Sequence, residues 1–407
     1  MIELCCLNIS SRGSTTGVDR YLSVLIDGLA KYDCNILLIE FVYNDSIIFS
    51  KYTQHDNYKK LVIPLPQKYS NFLNESYWME KYFDVAVRKI ISFLKKDMIF
   101  HVNSFNLMPL AIKLRQDLGG KIVSYVHFIP WKEHYEHNKR LFNKLYAQYY
   151  FGIIEPNSFF VNHLEKMFLI AADRIVCVTN SGRDFVHELT GIPIENIELI
   201  TNGFEDYSVD TRKNKTNNDE VEILFAGRVC EGKGIFFVLE ALELVKKRGY
   251  NFTFLIAGAC EEATKSMINN KYRNLNIKIL DNLDFVQLKE LYSSADIGVI
   301  PSLKEQASYV AIEMAMFGLP VVCTAVDGLD EIFSNETNAL KVPLRFSKIT
   351  GLTINVNEMA DKIISLIENE KLRIFLSENI RLLYEEKFTL NQMINKIIAL
   401  YEALNSK

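Results

Sequence analysis

Two short segments concentrate the residues whose types and spacing could do chemistry. In ILFAGRVCEGKGIFFVLEAL (223–242), an apolar run ends at Gly227, a glycine-rich turn follows, and a helical pattern begins near Gly234. A strand–turn–helix of this kind points backbone N–H groups and the positive helix end at an anion. Arg228 and Lys233 add two cationic side chains at the same turn. Two positive charges suit a diphosphate, whose negative charge grows as it departs. Gly227 to Lys233 also spells G-x-x-x-x-G-K, close to a nucleotide-hydrolysing P-loop. Gly234 stands where that loop needs a Ser or Thr hydroxyl for magnesium, so the P-loop reading loses its metal. A plain glycine turn with two solvated cations is the other alternative.

The second segment is PSLKEQASYVAIEMAMFGLPVV (301–322), with Glu305 and Glu313 separated by seven residues. SYVAIEMAMFG has helical character, and Gly318 with Pro320 marks its end. Eight residues of continuous helix would set the carboxylates ~12 Å apart. A glycosidase pair needs ~5–9.5 Å across one glycosidic bond. The two glutamates therefore fit different parts of one extended ligand, or are ordinary solvated side chains. Two further features lie upstream. Gly17, in TTGVDRY (15–21), ends a loop that enters a helix, where a glycine lets backbone approach a phosphate. His127 closes the apolar run KIVSYVHF (121–128), a strand-end position where a ligand could be met. His134 and His137, with Glu133 and Glu136, could be read as a metal site, as acceptor contacts or as a solvated helix face.

The elements that must position these residues alternate. Apolar runs IELCCLNI, CNILLIEFV, MIFHVN, KIVSYVHF, DRIVCVT and IELITNGF fill the first half, with amphipathic stretches such as VDRYLSVLIDGLAKY and LMPLAIKLRQDLGG between them. VEILFAG, FTFLIAG, NIKIL, IGVIP and LPVVCT repeat the scheme in the second half. Alternation of this kind implies right-handed crossovers and parallel sheets, with ligands beyond the carboxyl ends of the strands. Residues 206–220 carry almost no apolar side chains and read as a linker. The expected organisation is a Rossmann-like domain over 1–205, a linker over 206–220, and a second Rossmann-like domain over 221–390. A helix over 391–407 would cross back to the first domain, and the two domains would face one another across a cleft.

These strings together resemble the family 4 retaining glycosyltransferases, which have the GT-B fold. The likeness rests on Arg228 and Lys233, on E-x7-E at Glu305 and Glu313, and on ADIGVIPS leading into it. It is clearest over 220–335 and continues more weakly through 1–205, where NGF at 202–204 and AADRIVCVT at 171–179 also read like the family. The resemblance implies transfer of a sugar from a UDP- or GDP-linked donor to a hydroxyl, with retention, without a metal and without a resident cofactor. It implies that Gly227, Arg228 and Lys233 hold the diphosphate, with Gly17 also approaching it. Glu305 would contact the transferred sugar and Glu313 the ribose, while backbone amides at Gln306, Ala307 and Ser308 would bind sugar or phosphate oxygens. His127 would lie beside the sugar. Two departures stand out: Gln306-Ala307-Ser308-Tyr309 replaces the family's Gly-Phe-Gly, and Thr16 replaces the first of two glycines before Val18.

The bulk properties agree. At 407 residues two domains are expected, and a net charge of −4 gives no sign of nucleic-acid binding. The seven cysteines lack paired spacing and fit a reduced, cytoplasmic setting. No stretch reaches the ~18 apolar residues needed to span a bilayer. The aromatic and basic tract 131–170 could lie on an anionic membrane and reach a lipid-linked acceptor, or form the first domain's aromatic core. A glycan, peptide or small metabolite would serve equally as acceptor. The rival functions are a non-catalytic nucleotide-sugar-binding module, a phosphorylase-like enzyme of the same fold, and a P-loop-like hydrolase.

Overall fold

The computed structural model describes residues 1–10, 17–43, 51–55, 57–65, 87–127, 166–208, 220–281, 283–347 and 351–406. The chain divides into two compact units, Met1–Thr201 with Met393–Lys407, and Asn202–Gln392. The change of unit thus falls between Thr201 and Asn202, ahead of the polar stretch, whose residues 209–219 lie outside the described residues. Residues 202–208 are bound into the second unit. The Phe204 amide donates to Phe388, the Leu390 amide and the Tyr384 hydroxyl donate to Phe204, and Asp206 pairs with Arg381 at 2.5 Å.

Among the described residues of the first unit eight strands form one sheet: β1 (Ile2–Ser10), β2 (Cys34–Tyr43), β3 (Lys51–His55), β4 (Tyr58–Leu65), β5 (Ile99–Val102), β6 (Lys121–Val126), β7 (Arg174–Cys177) and β8 (Ile197–Leu199). Their order is β3-β4-β2-β1-β5-β6-β7-β8, parallel except where β3 meets β4. The chain builds outward from β1 through β2 to β4, then returns to lay β5 on the other side of β1. The order therefore reverses between β1 and β5, the kind of point where α/β sheets receive ligands. Central strands are buried on both faces, which is why IFHV and IELCCLNI read as continuous apolar runs.

The second unit repeats the plan with β9 (Val221–Ala226), β10 (Phe252–Ala257), β11 (Asn276–Leu280), β12 (Ile297–Ile300), β13 (Val321–Ala325), β14 (Leu340–Ser347) and β15 (Gly351–Ile354). The order is β11-β10-β9-β12-β13-β14-β15, with β15 alone antiparallel. The reversal here lies between β9 and β12. Helices Ile235–Lys247 and Val356–Glu368 close one face over a core that includes Ile223, Phe254, Val299 and Ile363. Two pieces of antiparallel structure, β3–β4 and β14–β15, have no counterpart among the runs read from the sequence.

The last helix, Leu390–Asn405, places Met393, Ile394, Ile397, Leu400, Tyr401 and Leu404 in the core of the first unit. Among the described residues no helix is long and apolar enough to cross a membrane. Of the tract 131–170 only Lys166–Ile170 belongs to the described residues, and His134 and His137 lie outside them.

Candidate functional site

In the second unit both chemical segments follow the two strands that flank the reversal. β9 runs into Gly227, and β12 runs into Pro301. Because these strands are neighbours, loops 72 residues apart in Lys233 and Glu305 meet in space. Backbone joins them directly. The Leu303 amide donates to the Gly232 carbonyl at 3.0 Å, and Gly234 adopts φ +69° against the Pro301 carbonyl. A Cβ on Gly234 would lie 1.8 Å from that oxygen. The missing P-loop hydroxyl is thus explained by packing: no side chain fits there. Gly227 is likewise extended beyond the range of other residues (φ +134°), and its carbonyl abuts Gly258.

The charged groups converge on this seam. Lys233 Nζ lies 2.5 Å from Glu305 Oε2, and Ser302 donates to the same oxygen at 3.2 Å. Both partners are on Oε2, which leaves Oε1 as the second acceptor of that carboxylate. Arg228 is exposed at the same turn. The Glu305 carbonyl accepts from the Gly328 amide at 3.0 Å, and Gly328 sits so close that a Cβ would overlap the Gln306 carbonyl at 1.7 Å. The helix start at Asp327 therefore clamps the loop that carries Glu305.

The four residues after Glu305 divide into distinct tasks. Ser308 caps the helix Tyr309–Met316, its hydroxyl accepting from the Ala311 amide at 3.2 Å. Tyr309 packs its ring against Phe204, in a cluster with Tyr207 and Phe285. Ala307 offers only backbone. Gln306 keeps Nε2 buried with no hydrogen-bond partner among the described residues, and an unpaired buried donor costs about 1–3 kcal/mol. The amides of Gln306 and Ala307 donate to no backbone carbonyl among the described residues. They sit beside the positive end of a helix.

Glu313 is placed differently from Glu305. It lies within the helix with no exposed surface and accepts the Tyr292 hydroxyl at 2.7 Å. The structure therefore brings Lys233, Glu305, Ser302, Gln306 and the glycine turns together, and holds Glu313 inside the domain behind them. Ser302, Gly328 and Gly258 were not singled out by sequence reasoning. Short polar or glycine positions after apolar runs are too common to stand out before the loops are known to touch.

In the first unit His127 follows β6 and its Nε2 lies 2.9 Å from Asn103 Oδ1. Asn103 follows β5, beside the reversal. The same oxygen meets Nε2 of His101 at 3.2 Å, and the other nitrogen of His101 contacts the Tyr401 hydroxyl. His101 stacks on Tyr125 at 4.1 Å, and Tyr21 packs edge-on to His127 at 4.6 Å. Burial holds both imidazoles down, His127 at about 4 and His101 at about 3, so both are neutral at physiological pH. Sequence reasoning found His127 alone. Its partners were hidden because they come from β5, the first helix and the last helix. Gly17 opens the helix Gly17–Leu29, and among the described residues a Cβ there would meet nothing within 4 Å.

Comparison with known proteins follows the same division. Residues 206–383 match the family described as glycosyl transferases group 1, and residues 15–206 match glycosyltransferase family 4. An uncharacterised glycosyltransferase of Methanocaldococcus jannaschii is 28% identical over 47% of this chain and 52% of its own length. The chain thus spans about half of that relative. A capsular polysaccharide biosynthesis glycosyltransferase of Staphylococcus aureus is 26% identical over 86% of each chain. Among solved structures, a sucrose-phosphate synthase from Thermosynechococcus elongatus superposes with a TM-score of 0.77 over 99% of both chains at 18% identity. An Anabaena protein crystallised with UDP-glucose gives 0.67 over 98% of this chain and 100% of its own, at 14% identity. At such identities the likeness is one of fold.

Proposed function

Because this chain belongs to the family 4 glycosyltransferases and has the GT-B fold, we propose that it moves a sugar from a nucleoside diphosphate to a hydroxyl acceptor. The observation that carries this reading is the meeting of Lys233 with Glu305 at the strand-order reversal of the second unit. One group neutralises a departing phosphate, and the other accepts hydrogen bonds from a sugar. Their contact at 2.5 Å supports assigning both tasks to one sugar–phosphate unit.

In this reading Arg228 and Lys233 bind the diphosphate, and their charge matters most as the leaving group develops its own. Gly227 and the amides of Gln306 and Ala307 let backbone approach phosphate or sugar oxygens. Glu305 takes a sugar hydroxyl on Oε1. Gln306 Nε2 donates to the donor sugar, and among the four residues that replace the family's Gly-Phe-Gly it is the side chain that selects which sugar is held. His127 accepts or donates a hydrogen bond to a ligand hydroxyl. Glu313 can reach a ribose only after the side chains enclosing it move, so its contribution runs through the helix it anchors.

Transfer proceeds with retention, and the departing phosphate takes the proton of the incoming hydroxyl, so no metal and no enzymatic nucleophile are needed. A UDP- or GDP-linked donor suits the turn, and UDP-glucose is the ligand in the Anabaena structure. The acceptor hydroxyl belongs to a glycan, lipid, peptide or small metabolite. We place the enzyme in the cytoplasm, with 131–170 as its candidate contact with an anionic membrane. Flotation with anionic liposomes at low and high salt tests that contact.

The decisive measurement is nucleotide release from a panel of UDP- and GDP-sugars, by the wild type and by Lys233→Ala. Removing a stabiliser of developing charge costs about 10²–10³ in kcat, while the partly exposed position leaves the melting temperature almost unchanged. Equal turnover in the variant would sink the assignment. A chain that binds these donors with measurable heat but releases no nucleotide would be a non-catalytic binding module.

A further inference from the structure

The polar cluster in the first unit points to a device that goes beyond the assignment of His127 and rests on it only for the ligand. A neutral imidazole carries one proton, on either Nδ1 or Nε2, and the choice decides which nitrogen can accept. Both His127 and His101 direct Nε2 at a single atom, Oδ1 of Asn103, at 2.9 and 3.2 Å. An amide oxygen cannot donate. Each Nε2 must therefore carry its ring's proton, and each Nδ1 must be a lone pair. On His101 that lone pair receives the hydroxyl of Tyr401, a side chain with no exposed surface.

The chain of donors runs one way: Tyr401 O–H to His101 Nδ1, His101 Nε2–H to Asn103 Oδ1, and His127 Nε2–H to the same oxygen. Reversing the Asn103 amide would put an NH2 opposite both rings and force their protons onto Nδ1. That would leave Oδ1 without a partner among the described residues and would take the Tyr401 proton off His101 Nδ1. In the observed orientation Asn103 Nδ2 is the side-chain amide atom without a partner among the described residues, and buried polar groups favour the better-satisfied arrangement. The backbone of Asn103 is itself held, its N–H donating to the Leu7 carbonyl at 3.1 Å.

We propose that Asn103, His101 and Tyr401 are positioning residues that lock His127 in the Nε2–H tautomer, so that Nδ1 is presented as a hydrogen-bond acceptor for a sugar hydroxyl. Among the described residues nothing donates to His127 Nδ1. Tyr21, edge-on to the ring, and Tyr125, stacked nearby, restrict rotation that would exchange the two nitrogens.

The test reads protons directly. The full chain is labelled with ¹⁵N-histidine, and long-range ¹H–¹⁵N spectra are recorded between pH 6 and 8, with rings assigned by His127→Gln and His101→Gln. The expected result is Nε2–H with unprotonated Nδ1 on both rings, constant across that range. Asn103→Leu should convert His127 to a mixture of tautomers, and Tyr401→Phe should do so for His101. Asn103→Asp, which keeps an acceptor, should preserve Nε2–H on both rings. Nδ1–H on His127 in the wild type, or an unchanged ring in a folded Asn103→Leu protein, would overturn the proposal. The wild-type spectrum suffices should the leucine variant not fold. Retained nucleotide release in His127→Gln would instead remove the ligand role of His127 and leave the tautomer result standing, so the two failures are distinguishable.

Discussion

A single carboxylate oxygen and a single amide oxygen organise the two clusters of this protein. Glu305 Oε2 gathers Lys233 and Ser302, and Asn103 Oδ1 gathers two histidines. At this scale the glycines are as informative as the charges. Gly234→Ser would complete a P-loop string, yet its side chain would start 1.8 Å from the Pro301 oxygen at a positive φ. The backbone strain alone is about 1–2 kcal/mol, and the overlap adds more. We expect a drop of several degrees in melting temperature and no ATP hydrolysis; a stable variant would show that the two loops are not pressed together. The histidines give a pH signature. Their folded values of about 3 and 4 lie below the ordinary 6.5, so the unfolded chain binds protons that the folded chain does not. Stability is therefore full above about 6.5 and declines as pH falls toward 4, by up to about 1.4 kcal/mol per pH unit for each ring. Urea midpoints at pH 7 and pH 5 measure it, and His127→Gln should flatten the slope.

Loops and caps form the next scale. The helix Tyr309–Met316 is short, apolar almost all round and buried, so its start depends on one cap. Ser308→Ala removes that cap at a cost of about 1 kcal/mol, and it should disturb donor binding more than fold because Gln306 and Ala307 precede it. Isothermal titration with a nucleoside diphosphate beside a melting curve separates the two effects. The segment 202–208 depends on Arg381, which holds Asp206, the Ser208 hydroxyl and the Met316 carbonyl together. Arg381→Ala leaves those acceptors unserved, and hydrogen bonds to charged groups are worth about 1.5–3 kcal/mol. Protease cleavage after 200–210 should accelerate in that variant. An unchanged cleavage rate would mean that the Phe204 backbone bonds suffice alone.

For the molecule as a whole, the last helix is the feature with the largest consequence. Truncation after Gln392 removes six buried side chains, Met393, Ile394, Ile397, Leu400, Tyr401 and Leu404, from the first unit. Each is worth roughly 1.5–3 kcal/mol, and their sum is comparable with the ~5–15 kcal/mol that holds a typical domain together. The truncated chain should lose the first unit's unfolding transition in calorimetry. It would also lose Tyr401, and with it the donor to His101.

What the sequence determined by itself is local and periodic. Continuous apolar runs marked the buried parallel strands, glycine and cation spacing marked the turn proposed to hold a diphosphate, and the E-x7-E string marked the segment from Glu305 to Glu313. Family membership follows from those strings and is upheld by the matches over 15–206 and 206–383. The tertiary structure decided what depends on neighbours distant in the chain. Strand order put Lys233 beside Glu305, close packing forbade a side chain at Gly234, and burial set Glu313 apart from Glu305. The strands β3, β4, β14 and β15 escaped because stretches such as KYTQH and YKKLVIPL mix polar with apolar residues instead of running continuously apolar. His101, Asn103 and Tyr401 escaped for a similar reason. One His, one Asn and one Tyr, separated by up to 300 residues, carry no spacing signal until the sheet and the final helix bring them around a single oxygen.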